Sequence, residues 1–339
     1  MTPLHELEAA WRVAPAGARL EAVRSAAPRL ADRLRHSGKA TSVRTCDLVT
    51  LPYPTRFGLG GAARVAPPYL MMTNRMQIVT FLEDGALRRM LVNPSDHQRN
   101  EATPFFARLA ARAPALLNRF IATRHATVPE RLAQAGLRGD QIDYVTYDHL
   151  HTQDLRRVLG EWCPRATLLV MQDELASLER LHPLQRDWYL ADALAGVPAA
   201  RLRPLDSDLL VGDGVALVRT PGHTAGNHSI VLHTDRGLWT ISENGVAVDN
   251  WAPERSDIAG VARAAAQSGV EVILNSNTRE QSLEQYTSMV LEKTLADEAP
   301  GGSGWRQCFS SSELTPSLLA PGLRASYVHH AISHGPSPA

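Results

Sequence analysis

The sequence has few cysteines and no net charge. Its 339 residues include three cysteines, Cys46, Cys163 and Cys308, which are widely spaced and odd in number. This pattern argues against a disulfide framework and against a Cys-x-x-Cys metal site. Lys plus Arg and Asp plus Glu both number 35. The balance gives no electrostatic reason to expect a nucleic-acid or anionic membrane partner.

Long apolar runs are also missing. No run approaches the about 20 residues that a membrane-spanning helix needs. The N-terminus lacks a basic segment followed by an apolar one, so no secretory signal is expected. We therefore expect a cytoplasmic protein that uses neither a membrane nor a nucleic acid as a partner.

Three histidines stand where predicted strands end. A β-branched and aromatic run, 144–147, leads directly into His149 and His151. Because alternate residues of an extended chain point the same way, both imidazoles can reach one point. Imidazoles that converge at a strand end commonly bind zinc or iron. His223 projects from a glycine-rich turn that follows a second predicted strand, 215–218.

The order of these segments resembles the metallo-β-lactamase superfamily. That family pairs a His-x-His-x-Asp-His motif after a strand with a Gly-His-Thr turn further along the chain. Residues 238–243 resemble the strand that ends in the family's metal-bridging Asp, and residues 270–277 resemble the late strand with its Ser-His pair. The resemblance covers roughly residues 45–297 and implies an α/β fold, a four-layer αβ/βα sandwich.

We divide the chain into three parts on this basis. Residues 1–44 are predicted to be an N-terminal helical extension that packs across the core or forms a dimer contact. Residues 45–298 are predicted to be the metallo-β-lactamase-like domain. The Pro- and Gly-rich start of residues 299–339 indicates a linker followed by a C-terminal tail.

Periodicity predicts the remaining elements. The predicted strands are 47–51, 69–82, 87–92, 167–171, 215–218, 229–233, 238–241 and a strand that begins at Val270. The predicted helices are 104–121, 127–137, 173–181, 185–195, 258–268 and 282–297. The helix 104–121 packs in the core or at an oligomer contact, or else covers the site as a lid.

The resemblance implies a metal site position by position. His149, His151 and His223 match the histidines of the family's first metal site. Glu243 stands at the position of the bridging Asp. It is expected to bind the metal or to act as a general base; the alternative is a solvated turn residue.

The second metal site departs from the family pattern. Gln153 stands where the Asp belongs, Asp154 where the final His belongs, and Asn277 where the late His belongs. Neutral amide oxygens are weak ligands for zinc. Asp154 either binds metal and orients water or caps the helix that starts after it. We therefore expect one metal ion per chain, Zn²⁺ or alternatively iron.

The predicted tail carries three further histidines. His329, His330 and His334 either supply a replacement ligand or lie on the surface.

Three protein ligands leave room for a metal-bound water, whose pKa zinc lowers to about 7. The sequence therefore predicts a metal-dependent hydrolase of a small-molecule ester, lactone, thioester or amide, with Glu243 or Asp154 orienting the water. An iron-dependent oxidoreductase on the same fold and a non-catalytic descendant with a degenerate site are the alternatives. The partner is expected to be a small-molecule substrate, and a homodimer stays open.

Overall fold

Two β-sheets and their flanking helices make up the fold. The structure is a computed structural model and describes residues 1–112, 122–277 and 281–337. The strands in chain order are β1 (Thr2–Leu4), β2 (Ser42–Pro54), β3 (Tyr69–Glu83), β4 (Ala86–Val92), β5 (Thr123–Arg124), β6 (Tyr144–Thr146), β7 (Thr167–Met171), β8 (Leu202–Leu205), β9 (Asp208–Gly212), β10 (Val215–Arg219), β11 (His228–Thr234), β12 (Gly237–Ser242), β13 (Cys308–Ser310), β14 (Ser312–Leu314) and β15 (Ser333–His334).

The helices lie mostly between or after these strands. They are α1 (Glu8–Trp11), α2 (Ala16–Arg35), α3 (Thr55–Gly58), α4 (His97–Asn100), α5 (Pro104–Arg112), α6 (Val128–Gln134), α7 (Gln172–Glu179), α8 (Val261–Ser268) and α9 (Ser282–Leu295), with a π-helix at Val158–Trp162 and 3₁₀ turns at Gly139–Gln141, Ala199–Arg201, Val248–Asn250 and Pro253–Arg255. Among the described residues, no helix has the length and apolar character needed to cross a membrane.

The strand order brings several chain segments to one edge of the sandwich. The first sheet has the order β1-β9-β10-β11-β12-β13. The second has the order β15-β2-β3-β4-β6-β7-β8, with β14 and β5 paired to β3 and β2. Strands β4, β6, β7 and β8 run parallel. Because parallel strands end at the same edge, the segments after β4 and β6 lie side by side.

Alternation along the strands creates the layers. In β10, Val215 and Leu217 point to the core between the two sheets, whereas Ala216 and Val218 pack against the helical layer that includes α2. This is the period-2 pattern expected of a strand that is buried on both faces. Helices α1, α2 and α9 cover the first sheet, and α6, α8 and the π-helix cover the second. The predicted four-layer αβ/βα sandwich is confirmed.

The predicted elements are largely present, with two differences. The helix after Thr127 has the expected capping box with Glu130. Of the predicted helix 104–121, Pro104–Arg112 is helical, and 113–121 lie outside the described residues. Residues 185–195 form turns instead of a helix, and residues 270–277 are not a strand.

Both differences have a physical cause in backbone hydrogen bonding. The carbonyls of Trp188 and Ala193 accept from the N–H groups of Thr152 and Leu155, 2.6 and 3.0 Å away. These two carbonyls therefore bond to the chain after His151 and not to the next turn of their own segment. In the segment 270–277, the N–H of Asn275 donates to the carbonyl of Asn244. Asn244 lies after the end of β12, so this bond does not extend a sheet.

Both chain ends belong to the sheets. Strand β1, in the predicted helical extension, pairs with β9. The segment separated as linker and tail contributes β13 to the first sheet and β14 and β15 to the second. The α2 face that carries Val23 and Leu30 is buried against the first sheet, in agreement with core packing.

Asp208, at the start of β9, generates a prediction about stability and pH. Burial raises the pKa of its carboxyl to about 7, although the N–H of Arg219 donates to Oδ1 at 2.7 Å. Since the folded-state pKa lies above the unfolded value, the group's stabilising effect is lost as the pH rises from about 4 to 7.

We therefore expect Asp208→Asn to gain stability relative to the wild type as the pH rises from 5 to 8. The gain is bounded by about 4 kcal/mol, because one pKa unit corresponds to about 1.4 kcal/mol. Urea unfolding at both pH values measures it. The exposed neighbour Asp206, changed to Asn, is the control. An equal effect of Asp208→Asn at both pH values would contradict the assignment.

Candidate metal centre

Three buried histidines converge at the edge where the strands end. His149 and His151 follow β6, and His223 lies in the turn between β10 and β11. One ring nitrogen of each can be chosen so that all three lie within 4.8 Å of one another. No other group of potential metal ligands of this kind occurs within residues 1–112, 122–277 and 281–337.

Hydrogen bonds fix which ring nitrogens face the common point. Nδ1 of His149 lies 2.7 Å from Oδ1 of Asp148, and Nδ1 of His223 lies 2.9 Å from the carbonyl oxygen of Asn275. Both partners can only accept, so Nδ1 donates in each ring and Nε2 carries the lone pair. Ligating histidines are usually held in this way by a second hydrogen bond.

His151 presents its other nitrogen to the cluster. Its Nδ1 lies 3.3 Å from Nε2 of His223. Two nitrogens bound to a tetrahedral zinc at about 2.0–2.1 Å are about 3.3–3.4 Å apart. The spacing of this pair therefore fits two ligands of one ion.

The electrostatics keep the cluster largely neutral. Burial lowers the pKa of His151 well below its usual value, and the neighbouring His223 and His149 lower it further. Burial and His149 lower the pKa of His223 to about 3. Burial acts in the same direction on His149, but Asp148 outweighs it and raises the pKa of that ring. Neutral imidazole is the form that binds a metal, so the residues fit a zinc or iron ion.

Asp148 connects His149 to the rest of the fold. Burial alone would raise the pKa of its carboxyl, but His149 and the hydroxyl of Ser311 hold it below the usual value. Its backbone N–H donates to Oδ1 of Asn93 at 3.0 Å, and its carbonyl accepts from the N–H of His228 at 2.9 Å. Asp148 is thus an ionised group with four fixed partners.

Glu243 follows β12 and is a buried carboxyl at the cavity. It is 6 % exposed, so the alternative of a solvated turn residue does not apply. Burial and the charge of Asp148 raise its pKa to about 8, while the hydroxyl and N–H of Ser312 donate to it. A carboxyl in this range can take up or release a proton near neutral pH. It is not one of the groups within 4.8 Å.

The structure does not bring Asp154 to the histidines. Its carboxylate accepts from the backbone N–H of Arg156 at 3.0 Å and from the guanidinium of the same residue. This is the capping role that the sequence left as the alternative to metal binding.

The other two altered positions also have protein partners. Oε1 of Gln153 accepts from the hydroxyl of Ser95 at 2.9 Å and from the amide of Asn100 at 3.2 Å. The side-chain nitrogen of Asn277 lies 3.3 Å from Nδ1 of His151.

The tail histidines lie elsewhere in the fold. Nε2 of His329 bonds the carbonyl of Arg306 at 2.8 Å, and Nε2 of His334 bonds the carbonyl of Ala40 at 2.9 Å. His329, His330 and His334 do not belong to the histidine cluster.

A cavity of about 640 Å³ opens over the cluster. His149, His151, His223, Glu243 and Asn277 are among its lining residues. Its walls are largely apolar, and the apolar side chains include those of Val49, Leu51, Tyr53, Met72, Phe106, Leu109 and Trp188. The space suits a small organic molecule.

Sequence reasoning missed the residues that hold the histidines. Asp148 had a usable signal, since it is a carboxylate directly between an apolar strand and His149. Ser311 and Ser312 had none, because they lie in the segment assigned to the tail. Asn275 acts through its backbone carbonyl, which any residue could supply.

Comparison with known proteins identifies the fold. No protein-family model matches the sequence, and no curated protein matches it. The solved structure of AidC, a dizinc quorum-quenching lactonase, is similar at 13% identity and a TM-score of 0.52, over 89% of this chain and 98% of that one. A probable metal-dependent hydrolase from Staphylococcus aureus is similar at 12% identity and a TM-score of 0.51, over 73% and 84%.

The chain therefore has the metallo-β-lactamase fold, as the resemblance implied. On this fold, the histidine cluster offers a site that fits a metal ion.

Asn93 generates a prediction about the histidine segment. Its backbone is left-handed, with φ 53°, and its side chain accepts from the N–H of Asp148. Asn93→Ala loses this acceptor and places a less tolerant residue at positive φ. We expect a loss of about 2–4 kcal/mol in the free energy of unfolding, measured with urea.

Two further variants separate these causes. Asn93→Gly tolerates the backbone but lacks the acceptor, so it should lose less than Asn93→Ala. Asn93→Asp keeps an acceptor but buries a carboxyl beside the ionised Asp148, so its loss of stability should grow as the pH rises from 5 to 8. Equal stability of all four proteins would show that the contact has no structural role.

Proposed function

We propose that this protein is a metal-dependent hydrolase that binds one metal ion per chain, most simply zinc, through His149, His151 and His223. The observation that carries the proposal is the convergence of three buried, hydrogen-bonded imidazoles beneath a cavity of about 640 Å³. The substrate class is a small-molecule ester, lactone, thioester or amide.

The residues at the altered second site favour one metal ion per chain. The oxygen of Gln153 already accepts two hydrogen bonds, and the carboxylate of Asp154 is bound to Arg156. Neither group is left as a strong ligand for a second ion. Amide groups also bind zinc weakly in comparison with imidazole or carboxylate.

The chemistry of the proposed reaction is divided between the metal and one carboxyl. A bound divalent ion would supply Lewis acidity and lower the pKa of a bound water to about 7. Glu243 lines the same cavity and would accept the proton of the attacking water and return it to the leaving group. Ser312 orients Glu243 through two hydrogen bonds, and Asp148 fixes His149.

The cavity favours an uncharged substrate with an apolar portion. Trp188, Tyr53 and Met72 offer apolar surface close to the histidines. An apolar group placed there would be removed from water, which favours binding by about 25 cal/mol per Å². The scissile carbonyl would lie at the polar end, near Glu243.

The first test is metal content. We expect the untagged protein to hold about one zinc per chain by elemental analysis, and the double variant His149→Ala, His151→Ala to hold none and to lose ester and lactone hydrolysis. The double variant His329→Ala, His334→Ala is the matched control and should retain both properties.

Other results would change the proposal. Two metal ions per chain would contradict the single-ion site. Iron together with oxygen uptake would favour the iron-dependent oxidoreductase. A protein without metal after reconstitution, with a melting temperature unaffected by chelator, would favour a non-catalytic descendant.

A second prediction concerns Glu243. We expect Glu243→Gln to keep the metal but to lower kcat by about 10²–10⁴-fold, the usual effect of removing a general acid or base. Glu101→Gln, at another carboxylate of the same cavity wall, is the control. An unchanged kcat in Glu243→Gln would remove the catalytic role of this residue.

A further inference from the structure

Glu174 is a fully buried carboxylate beside the histidine cluster. Glu174 is in the first turn of α7 and has 0% exposure. It is not among the described residues that line the space above the histidines. Direct contact with a substrate is therefore not its role.

Its two oxygens accept hydrogen bonds from three separate chain segments. Oε1 accepts from the N–H of Leu150 and from the hydroxyl of Tyr189, both at 2.8 Å. Oε2 accepts from the hydroxyl of Thr224 at 2.6 Å. Burying a carboxylate is unfavourable unless its oxygens are bonded, and these charge-assisted bonds are of the strong kind.

Each donor is next to a histidine of the cluster. Leu150 lies between His149 and His151, and Thr224 directly follows His223. The ring of Tyr189 meets the ring of His151 edge to face, with centroids 4.6 Å apart. One side chain thus contacts neighbours of all three rings.

The start of α7 and the turn that carries His223 also meet through their backbones. Gly226 closes the turn that carries His223, and a Cβ added there would lie 2.2 Å from the backbone nitrogen of Glu174. Only glycine permits this approach. The start of α7 and the His223 turn are therefore packed backbone to backbone, with the carboxylate beside them.

We propose that Glu174 is a positioning residue for the metal centre. Its carboxylate links the His149–His151 segment to the His223 turn, which lies more than 70 residues further along the chain. A shift of either segment would change the spacing of the ligand nitrogens, to which zinc binding is sensitive. The proposal rests on the proposed metal site.

The main experiment measures zinc affinity by competition with a chromogenic chelator, on variants whose folding is verified by circular dichroism. We expect Glu174→Ala to bind zinc about 10–100-fold more weakly than the wild type, the usual effect of removing a residue that supports a ligand. Glu174→Gln should fall between them. Its carbonyl can serve Leu150 and Tyr189, and its amide can donate to the Thr224 hydroxyl.

Asp249 provides a matched control. It is also a fully buried carboxylate, and it accepts from the hydroxyls of Ser256 and Ser326 and not from the cluster histidines. Asp249→Ala should lower the melting temperature while leaving zinc affinity unchanged. An equal loss of affinity in both variants would mean that Glu174 acts only through general stability.

A double-mutant cycle isolates the hydrogen bond to the His223 turn. Thr224→Val alone should weaken zinc binding, by less than Glu174→Ala. The combined variant should bind no more weakly than Glu174→Ala, because the bond is already lost. Wild-type affinity in Glu174→Ala, or strictly additive losses, would overturn the proposal.

This design separates a failure of the proposed metal site from a failure of the positioning role of Glu174. If the wild type binds no zinc, the proposed metal site fails, whatever Glu174 does. If Glu174→Ala does not fold, Tyr189→Phe and Thr224→Val each remove one bond and leave the carboxylate in place. Unchanged zinc affinity in both would then overturn the positioning role.

Discussion

Three imidazoles brought close together in a buried place are the constraint on which the site depends. Charged rings would repel one another there, and burial already opposes the charged form, so the pKa values of His151 and His223 fall. A neutral ring still has one N–H to satisfy. Asp148 and the carbonyl of Asn275 meet that need for His149 and His223. These two bonds set the tautomers of His149 and His223, so that Nε2 of each ring carries the lone pair that a metal would bind.

The C-terminal segment is part of the sandwich and supplies hydrogen-bond donors to the site. Strand β13 extends the first sheet and β14 joins the second, so residues 310–312 cross between the sheets beside the cluster. Ser311 donates to Asp148 and Ser312 to Glu243. Two buried carboxyls near each other cannot both be ionised cheaply, and the pKa of Asp148 is lowered while that of Glu243 is raised. The crossing segment supplies donors to both.

Sequence patterns predicted the layers, most strands and the three histidines, because these depend on local periodicity and on a motif with fixed spacing. They failed where the deciding partner is distant in the chain. Residues 185–195 have a helical pattern, yet Trp188 and Ala193 give their carbonyls to the segment after His151. Glu174 has the appearance of an ordinary acidic residue in the first turn of a helix. That its carboxylate reaches Leu150 and Thr224 depends on how β7, β6 and the β10–β11 turn are arranged, which no local pattern contains.

Gln153 and Asp154, at two of the altered positions, make hydrogen bonds within the protein. A charged Asp at position 153 would add an anion near Asp148 and Glu243, and without a second cation the three would repel one another. Gln153 is neutral, and its oxygen joins the turn after β4 to the histidine segment through Ser95 and Asn100. At position 154 a carboxylate stands in place of the family's His, and Arg156 neutralises it. Each change therefore replaces a bond that a second metal would make with a bond inside the protein, as the proposed one-metal site would require.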